Sequence, residues 1–388
     1  MSLESSPRLY TTEFLKVTVI MFLIMTTMTM FLLLPLLIEK MGGDAADIGL
    51  VMGITPLGAV ISRIFWGRWM DLAGRKKILL LGTLLNTAAI LLFLTVRGVG
   101  ILMVMLRLLQ GLALGGNITA VWTIIADITP QRRLAESLGI FGIAGMAALA
   151  LGPWGGELVM KAHGFPGLFI ASGLLSLTAV LLSLRVRESR PSSACDSITP
   201  SYRKMLKGGV MSVFLVTIAF AVSRSAFASF FAEYSRLRQI GSMGVYSIIY
   251  SGTTIGFRLL AGRLPDRLGR TRVLIPALIV FGTGIGLIAF IHSWPLFILS
   301  AFFCGLGHCF LYPVLNALVI QKVHSCTRGT ATGLFINSFD LGIGAGSIAW
   351  GLAAQFGGYR LMYLLGGATA LLGIGGVRRL LREASPAG

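Results

Sequence analysis

Four arginines (Arg63, Arg107, Arg224 and Arg258), two carboxylates (Glu157 and Asp340) and one histidine (His308) interrupt long apolar runs of this chain. A charged group surrounded by hydrocarbon is costly and marks a functional position by default. Asp340, in Phe339-Asp340-Leu341-Gly342, sits about halfway along its run, whereas Glu157 lies near the end of its own. A carboxylate in a low-dielectric seam can hold a proton in one state and release it in another. Asp340 is therefore the first candidate for a proton carrier, with Arg107 and Glu157 completing a proton-coupling set. Its competing role is a permanent ion pair with Arg224. Arg224, between Ser223 and Ser225 and followed by Phe227, Phe230 and Phe231, is too deep to snorkel to the surface. It either anchors an anionic group of a substrate or pairs within the protein. His308, Tyr312 and Asn316 recur at i+4, which places them on one helical face as a polar wall. Asn117, Thr119 and Trp122 are candidates for the opposite wall.

The elements that position these groups must span a membrane. Hydrophobic residues make up 55% of the 388 and charged residues only 12%, at a mean hydropathy of +0.84. No soluble domain of this length hides that much apolar surface. Taking roughly 20 apolar residues per crossing, the chain divides into spans at 15–38, 47–70, 77–96, 99–127, 134–160, 166–185, 208–235, 244–263, 272–292, 295–320, 329–354 and 360–379. The expected class is an all-α membrane protein of twelve transmembrane helices, organised as a bundle over 1–185, a polar linker over 186–207 and a second bundle over 208–388. The start is not a cleavable signal, because the apolar run after Glu13 and Lys16 is too long and no small-residue cleavage site follows it.

The net charge of +18 does not point to nucleic acid, because the basic residues cluster at span ends. Of 33 Lys and Arg, four lie inside spans and six (Lys40, Arg97, Lys161, Arg236, Arg238 and Arg360) on one side; the rest fall on the other. That bias places both termini in the cytoplasm. The cysteines, Cys195, Cys304, Cys309 and Cys326, show no metal or disulfide spacing.

The block Arg63-Ile-Phe-Trp-Gly67-Arg-Trp-Met-Asp71-Leu-Ala-Gly74-Arg75 recurs as Arg258-Leu-Leu-Ala-Gly262-Arg-Leu-Pro-Asp266-Arg-Leu-Gly269-Arg270, 195 positions later. In an apolar chain, a copied half means a duplicated helical bundle. The repeated block resembles the cytoplasmic 2–3 loop motif of the major facilitator superfamily, and the resemblance extends over nearly the whole chain. It implies two pseudo-symmetric six-helix halves rocking about a central cavity, with a cytoplasmic gate of Gly67, Asp71, Arg75 and Asp127 and a second copy at Asp266 and Arg270. Gln321 stands where the first copy has Asp127, so the second cluster is expected to be weaker.

Arg107-Leu-Leu-Gln110-Gly111 resembles a fourth-helix motif of proton-coupled members. Gly152-Pro153-Trp154-Gly155-Gly156-Glu157 resembles the fifth-helix motif of exporters, with Ala148 and Glu157 replacing two of its glycines. Within the superfamily the likeness is to the bacterial sugar-efflux and multidrug-efflux group. The function implied is alternating-access, proton-coupled export of a small organic solute, by a lipid-embedded monomer without a cofactor. Uptake or exchange of an organic anion is the alternative, and a non-transporting sensor or enzyme the reading from another class. Against an enzyme, the chain has no HExxH, no Ser/His pair at catalytic spacing and no paired acidic metal site.

Overall fold

The computed structural model describes residues 10–130, 133–189, 210–323 and 328–384. All the regular elements among them are helical. The spanning helices are α1 (Thr12–Lys40), α2 (Ala45–Ala73), α3 (Arg75–Leu92) and α4 (Ile101–Ile128). Leu134–Leu184 follows, broken at Gly164 into α5 (134–163) and α6 (165–184). The second half holds α7 (Val210–Arg238), α8 (Met243–Ala261), α9 (Arg270–Ile288) and α10 (Trp294–Gln321). Arg328–Ala384 is broken at Gly358 into α11 (328–357) and α12 (359–384). Among the described residues nine helices are long and apolar enough to cross a membrane. Two of these contain the Gly164 and Gly358 breaks, and the less apolar α8 completes the twelve.

Local chemistry sets the ends. Thr11 Oγ1 accepts from Phe14 N–H at 3.2 Å and starts α1. Asp44 and Asp47 form a reciprocal capping box at α2, and Ser242 Oγ accepts from Val245 N–H at α8. One departure from the expected spans is a 3-10 turn over Phe31–Leu33 inside α1. Pro35 has no N–H to give the Phe31 carbonyl, which accepts instead from Leu34 N–H. The duplication is written in the backbone as well. Gly74 and Gly269 both have φ of 93°, and Gly164 and Gly358 have φ of 67° and 75°, at matched places in the two halves. A side chain is strained in that region, so the same tight turn calls for glycine twice.

The chain is thus an all-α membrane protein of two pseudo-symmetric six-helix bundles, which meet along two seams, α2 with α11 and α5 with α8. Here "terminal side" means the face carrying the α2–α3 connection, and "far side" the opposite face. Toward the far side the α2–α11 seam is tight: a Cβ on Gly49 would lie 2.6 Å from Ser347 O, and one on Gly53 2.6 Å from Gly344 O. Toward the terminal side it opens among the described residues, of which Cβ atoms on Gly67 and Gly333 would meet none within 4 Å. Helix packing in lipid rests on such close backbone approach. The phenylalanines after Arg224 belong to the core of the second bundle. Phe231 lies 4.1 Å from Tyr246 between ring centroids, and Phe227 stacks on Tyr250 at 5.4 Å. Each aromatic pair adds about 0.5–1.5 kcal/mol beyond its contact area.

Candidate functional site

The site is built where the α2–α11 seam opens. Arg63, on α2, donates from Nη1 to Asn337 Oδ1 at 2.8 Å and from Nη2 to Asp340 Oδ2 at 2.5 Å, both on α11. Asp340 therefore pairs across the two halves with Arg63, not within its own half with Arg224. The Arg63 and Asp340 side chains are only 7% and 18% exposed. Removing one partner of such a pair leaves the other charge uncompensated.

Arg224 lies on α7 with its guanidinium over the Phe339 ring, 5.7 Å from the centroid. His308 is buried on α10, sharing a hydrogen bond between its Nδ1 and Tyr250 Oη and meeting Phe220 edge-on at 5.5 Å. Tyr312, one turn on, packs against Phe335 and Phe339 of α11 at 5.1 and 5.2 Å. Asn316 Oδ1 is buried with no partner among the described residues. The arginines at 63, 224 and 258 and the Asp340 carboxylate all act electrostatically on Tyr312, which places them around one region.

The remaining candidates sit elsewhere. Arg107 is buried inside the first bundle, where Nε donates to Val51 O at 3.2 Å and Nη1 to Gln110 Oε1 at 2.9 Å, with Phe31 under its guanidinium. Asn117 is fully buried facing α3, since a Cβ on Gly82 would lie 2.3 Å from its Oδ1. Trp122 meets Phe141 of α5 edge-on at 4.8 Å. A crevice of about 400 Å³ between α1, α5 and α6 is lined by Thr26, Met30, Gly152, Gly156 and other uncharged residues. It offers nothing to hold an ion.

Glu157 is engaged across the second seam. Its carboxylate accepts from Ser242 Oγ at 2.6 Å and from Gly244 N–H at 2.9 Å, at the N-terminus of α8. A helix N-terminus favours a negative charge through its free N–H groups and dipole. Two further polar links close the far side. Arg236 of α7 pairs with Glu39 of α1. Gln355 of α11 donates to Asp44 Oδ2 at 2.8 Å and accepts from Ala46 N–H at 3.2 Å. The Asp47 backbone N–H, with help from Gln355, holds the Asp44 carboxyl below the usual carboxylate range. A depressed carboxylate stabilises the fold above its unfolded-state value, and that contribution fades as pH falls through the folded one. Sequence inspection missed Glu39, Asp44, Arg236 and Gln355, because polar residues at span ends are ordinary. Glu157→Ala should loosen the α8 N-terminus. Hydrogen exchange at Gly244 and its neighbours is expected to speed up roughly tenfold; unchanged exchange would show that Ser242 alone caps the helix.

On the terminal side, Arg75 and Asp127 form an ion pair, and Ser189 Oγ donates to the same Asp127 oxygen at 2.8 Å. The start of α3 is capped by Glu188, whose Oε1 accepts from Arg75 N–H at 2.7 Å. The side chain of Asp71 and residues 324–327 before α11 lie outside the described residues. A Cβ on Gly67 would meet none of the described residues within 4 Å. In the second copy, Asp266 Oδ1 accepts from Arg270 Nε at 3.0 Å and Nη2 at 2.9 Å, on the exposed surface. Asp127→Asn should cost about 2 kcal/mol, since a hydrogen bond to a charged group is worth about 1.5–3 kcal/mol. The melting temperature of the purified protein checks this; an unchanged value would mean that the pair contributes nothing net.

Two halves joined at polar seams and opening to one face form the architecture of a solute carrier, and comparison with known proteins agrees. The model of the Major Facilitator Superfamily matches residues 17–240 and again 211–387. An uncharacterized MFS-type transporter of Methanocaldococcus jannaschii is 23% identical over 340 residues, covering 84% of this chain and 86% of that protein. Multidrug resistance protein MdtG of Citrobacter koseri is 26% identical over 347 residues, covering 85% of each. The crystal structure of the nucleoside transporter NupG superposes with a TM-score of 0.72 at 16% identity, over 96% of this chain and 100% of that one. With the family model matched along almost its whole length, the chain belongs to the major facilitator superfamily and is a multi-pass membrane transporter of small molecules, not an enzyme.

Proposed function

We propose that this transporter exports a small organic solute in exchange for protons, with its terminal side in the cytoplasm of a bacterial inner membrane and Asp340 as the proton carrier. The observation that carries the reading is the Arg63–Asp340 pair, which ties α2 to α11 where the seam opens. While Asp340 is ionised the pair holds the halves in the arrangement seen here, closed on the far side. A proton reaching Asp340 removes its charge and with it the attraction to Arg63, freeing the seam to rearrange. A single carboxylate thereby couples protonation to the rocking of two rigid halves. The likeness to multidrug resistance protein MdtG supports export, and the basic bias toward the terminal side supports the orientation.

The test is reconstitution into proteoliposomes with an imposed proton gradient. Uphill movement of a solute that collapses with a protonophore supports the proposal. Transport indifferent to the proton gradient, or concentrative only in the uptake direction, would overturn it.

A further inference from the structure

The duplication exposes a mismatch between the halves. Arg63 and Arg258 occupy equivalent places in the repeated block. Arg63 reaches across its seam to Asn337 and Asp340 on α11. Arg258 faces the corresponding helix, α5: a Cβ on Gly142 would lie 3.4 Å from its Nη1. Helices α5 and α11 align through Gly139 with Gly333, Gly152 with Gly346 and Gly164 with Gly358. In that register Asn337 corresponds to Ile143 and Asp340 to Met146. Where α11 offers Arg63 two oxygen acceptors, the matching positions of α5, Ile143 and Met146, offer Arg258 none. The Nε atoms of Arg258 and Arg224, like that of Arg63, are buried without a partner among the described residues, and Arg224 also hydrogen-bonds Tyr250. Both arginines act electrostatically on Tyr250 and Tyr312, so they bound the same region. Among the described residues the carboxylate that also acts there is Asp340, and it is taken by Arg63. Two cations inside a membrane protein with no counter-charge among the described residues are costly unless something anionic joins them.

We propose that Arg224 and Arg258 bind the anionic group of the transported solute, a small aromatic organic anion whose oxyanion stands opposite Arg258 as Asp340 stands opposite Arg63. The proposal rests on the transport reading above and names its substrate class. Planar guanidiniums suit such a group because each offers paired N–H donors to two oxygens. Tyr312 and Phe339, packed edge-on against each other over the buried Phe335, form the aromatic surface beside it, on which a ring can stack.

The test measures thermal stabilisation of the purified full-length protein by 2-naphthoate, with neutral 2-naphthamide and cationic 2-naphthylmethylamine alongside. Ligand binding to the folded state raises apparent stability. Naphthoate is expected to raise the melting temperature, and the amide and amine to do so at least tenfold less effectively. Arg258→Gln and Arg224→Gln should each weaken the naphthoate response at least tenfold. Met146→Asp gives Arg258 a carboxylate of its own, one turn from Gly142; it should raise the melting temperature without ligand and abolish the response to naphthoate. Equal stabilisation by all three compounds, or a naphthoate response untouched by Arg258→Gln and Met146→Asp, would overturn the site. No gradient is needed, so the two readings fail separately. Gradient-driven transport of a neutral or cationic solute with no naphthoate response removes the anion site alone. Naphthoate bound with the expected variant pattern, by a protein that moves nothing, removes the transport reading and keeps the site.

Discussion

Asp340→Asn is expected to abolish concentrative transport, with uphill accumulation in proteoliposomes falling at least 100-fold while downhill exchange persists. The carboxamide keeps the shape and can still accept from Arg63 Nη2, but it neither ionises nor carries a proton. It also leaves the Arg63 guanidinium, 7% exposed, without its counter-charge. Breaking a buried pair from one side costs about 3–5 kcal/mol, much of it the penalty on the charge left behind. The single variant should therefore melt earlier. Arg63→Gln with Asp340→Asn should recover most of that loss, because no buried charge remains. Concentrative transport must stay absent in the double variant. This cycle separates the coupling role from a scaffolding one: recovered stability with recovered uphill transport would place the proton carrier elsewhere, with Glu157 next to be tested.

Gly53→Val should drive the far side open. A Cβ at Gly53 would lie 2.6 Å from Gly344 O and 2.9 Å from a methylene of Ile348. The carbonyl is backbone and cannot swing aside, so α2 and α11 must separate where they now touch. Overpacking of this kind costs about 1–3 kcal/mol, and each 1.4 kcal/mol shifts a two-state equilibrium about tenfold. Only the arrangement closed on the far side pays it. Spin labels at Lys40 and Gln239, exposed at the far-side ends of α1 and α7, should report a longer inter-label distance in Gly53→Val than in the parent protein. Gly67→Val is the control, since a Cβ there meets none of the described residues within 4 Å, and its distance should match the parent's. An unshifted distance in Gly53→Val would mean that the glycine contact is not what closes this seam.

Much of the architecture was legible before any coordinates. Apolar run length marks each crossing, and the offset of Arg63, Gly67, Asp71, Gly74 and Arg75 from their second copies marks the duplication. The positive φ shared by Gly74 and Gly269, and by Gly164 and Gly358, is that duplication expressed as backbone geometry. The candidate site was legible only as a set of residue types. The buried charges were each visible, because an ionisable group in an apolar run is conspicuous. Arg107 looked like the other three arginines, yet its donors are satisfied by Val51 O and Gln110 within its own bundle. Glu157 looked like a surface charge or a proton site and lies on the N-terminus of α8.

Sequence by itself determined the class of the molecule, its helices and its internal copy, because hydrophobicity, turn chemistry and repetition are local properties that each segment carries alone. Tertiary structure decided the partners. Arg63 and Asp340 lie 277 positions apart, and nothing near either residue specifies the other. Arg224 was as reasonable a choice until the angle at which α2 meets α11 brought Arg63 to the carboxylate. The same packing left Arg258 facing Gly142. Charge is a property of a residue, but compensation is a property of the few ångströms around it, and those are filled by whichever helix the fold brings there.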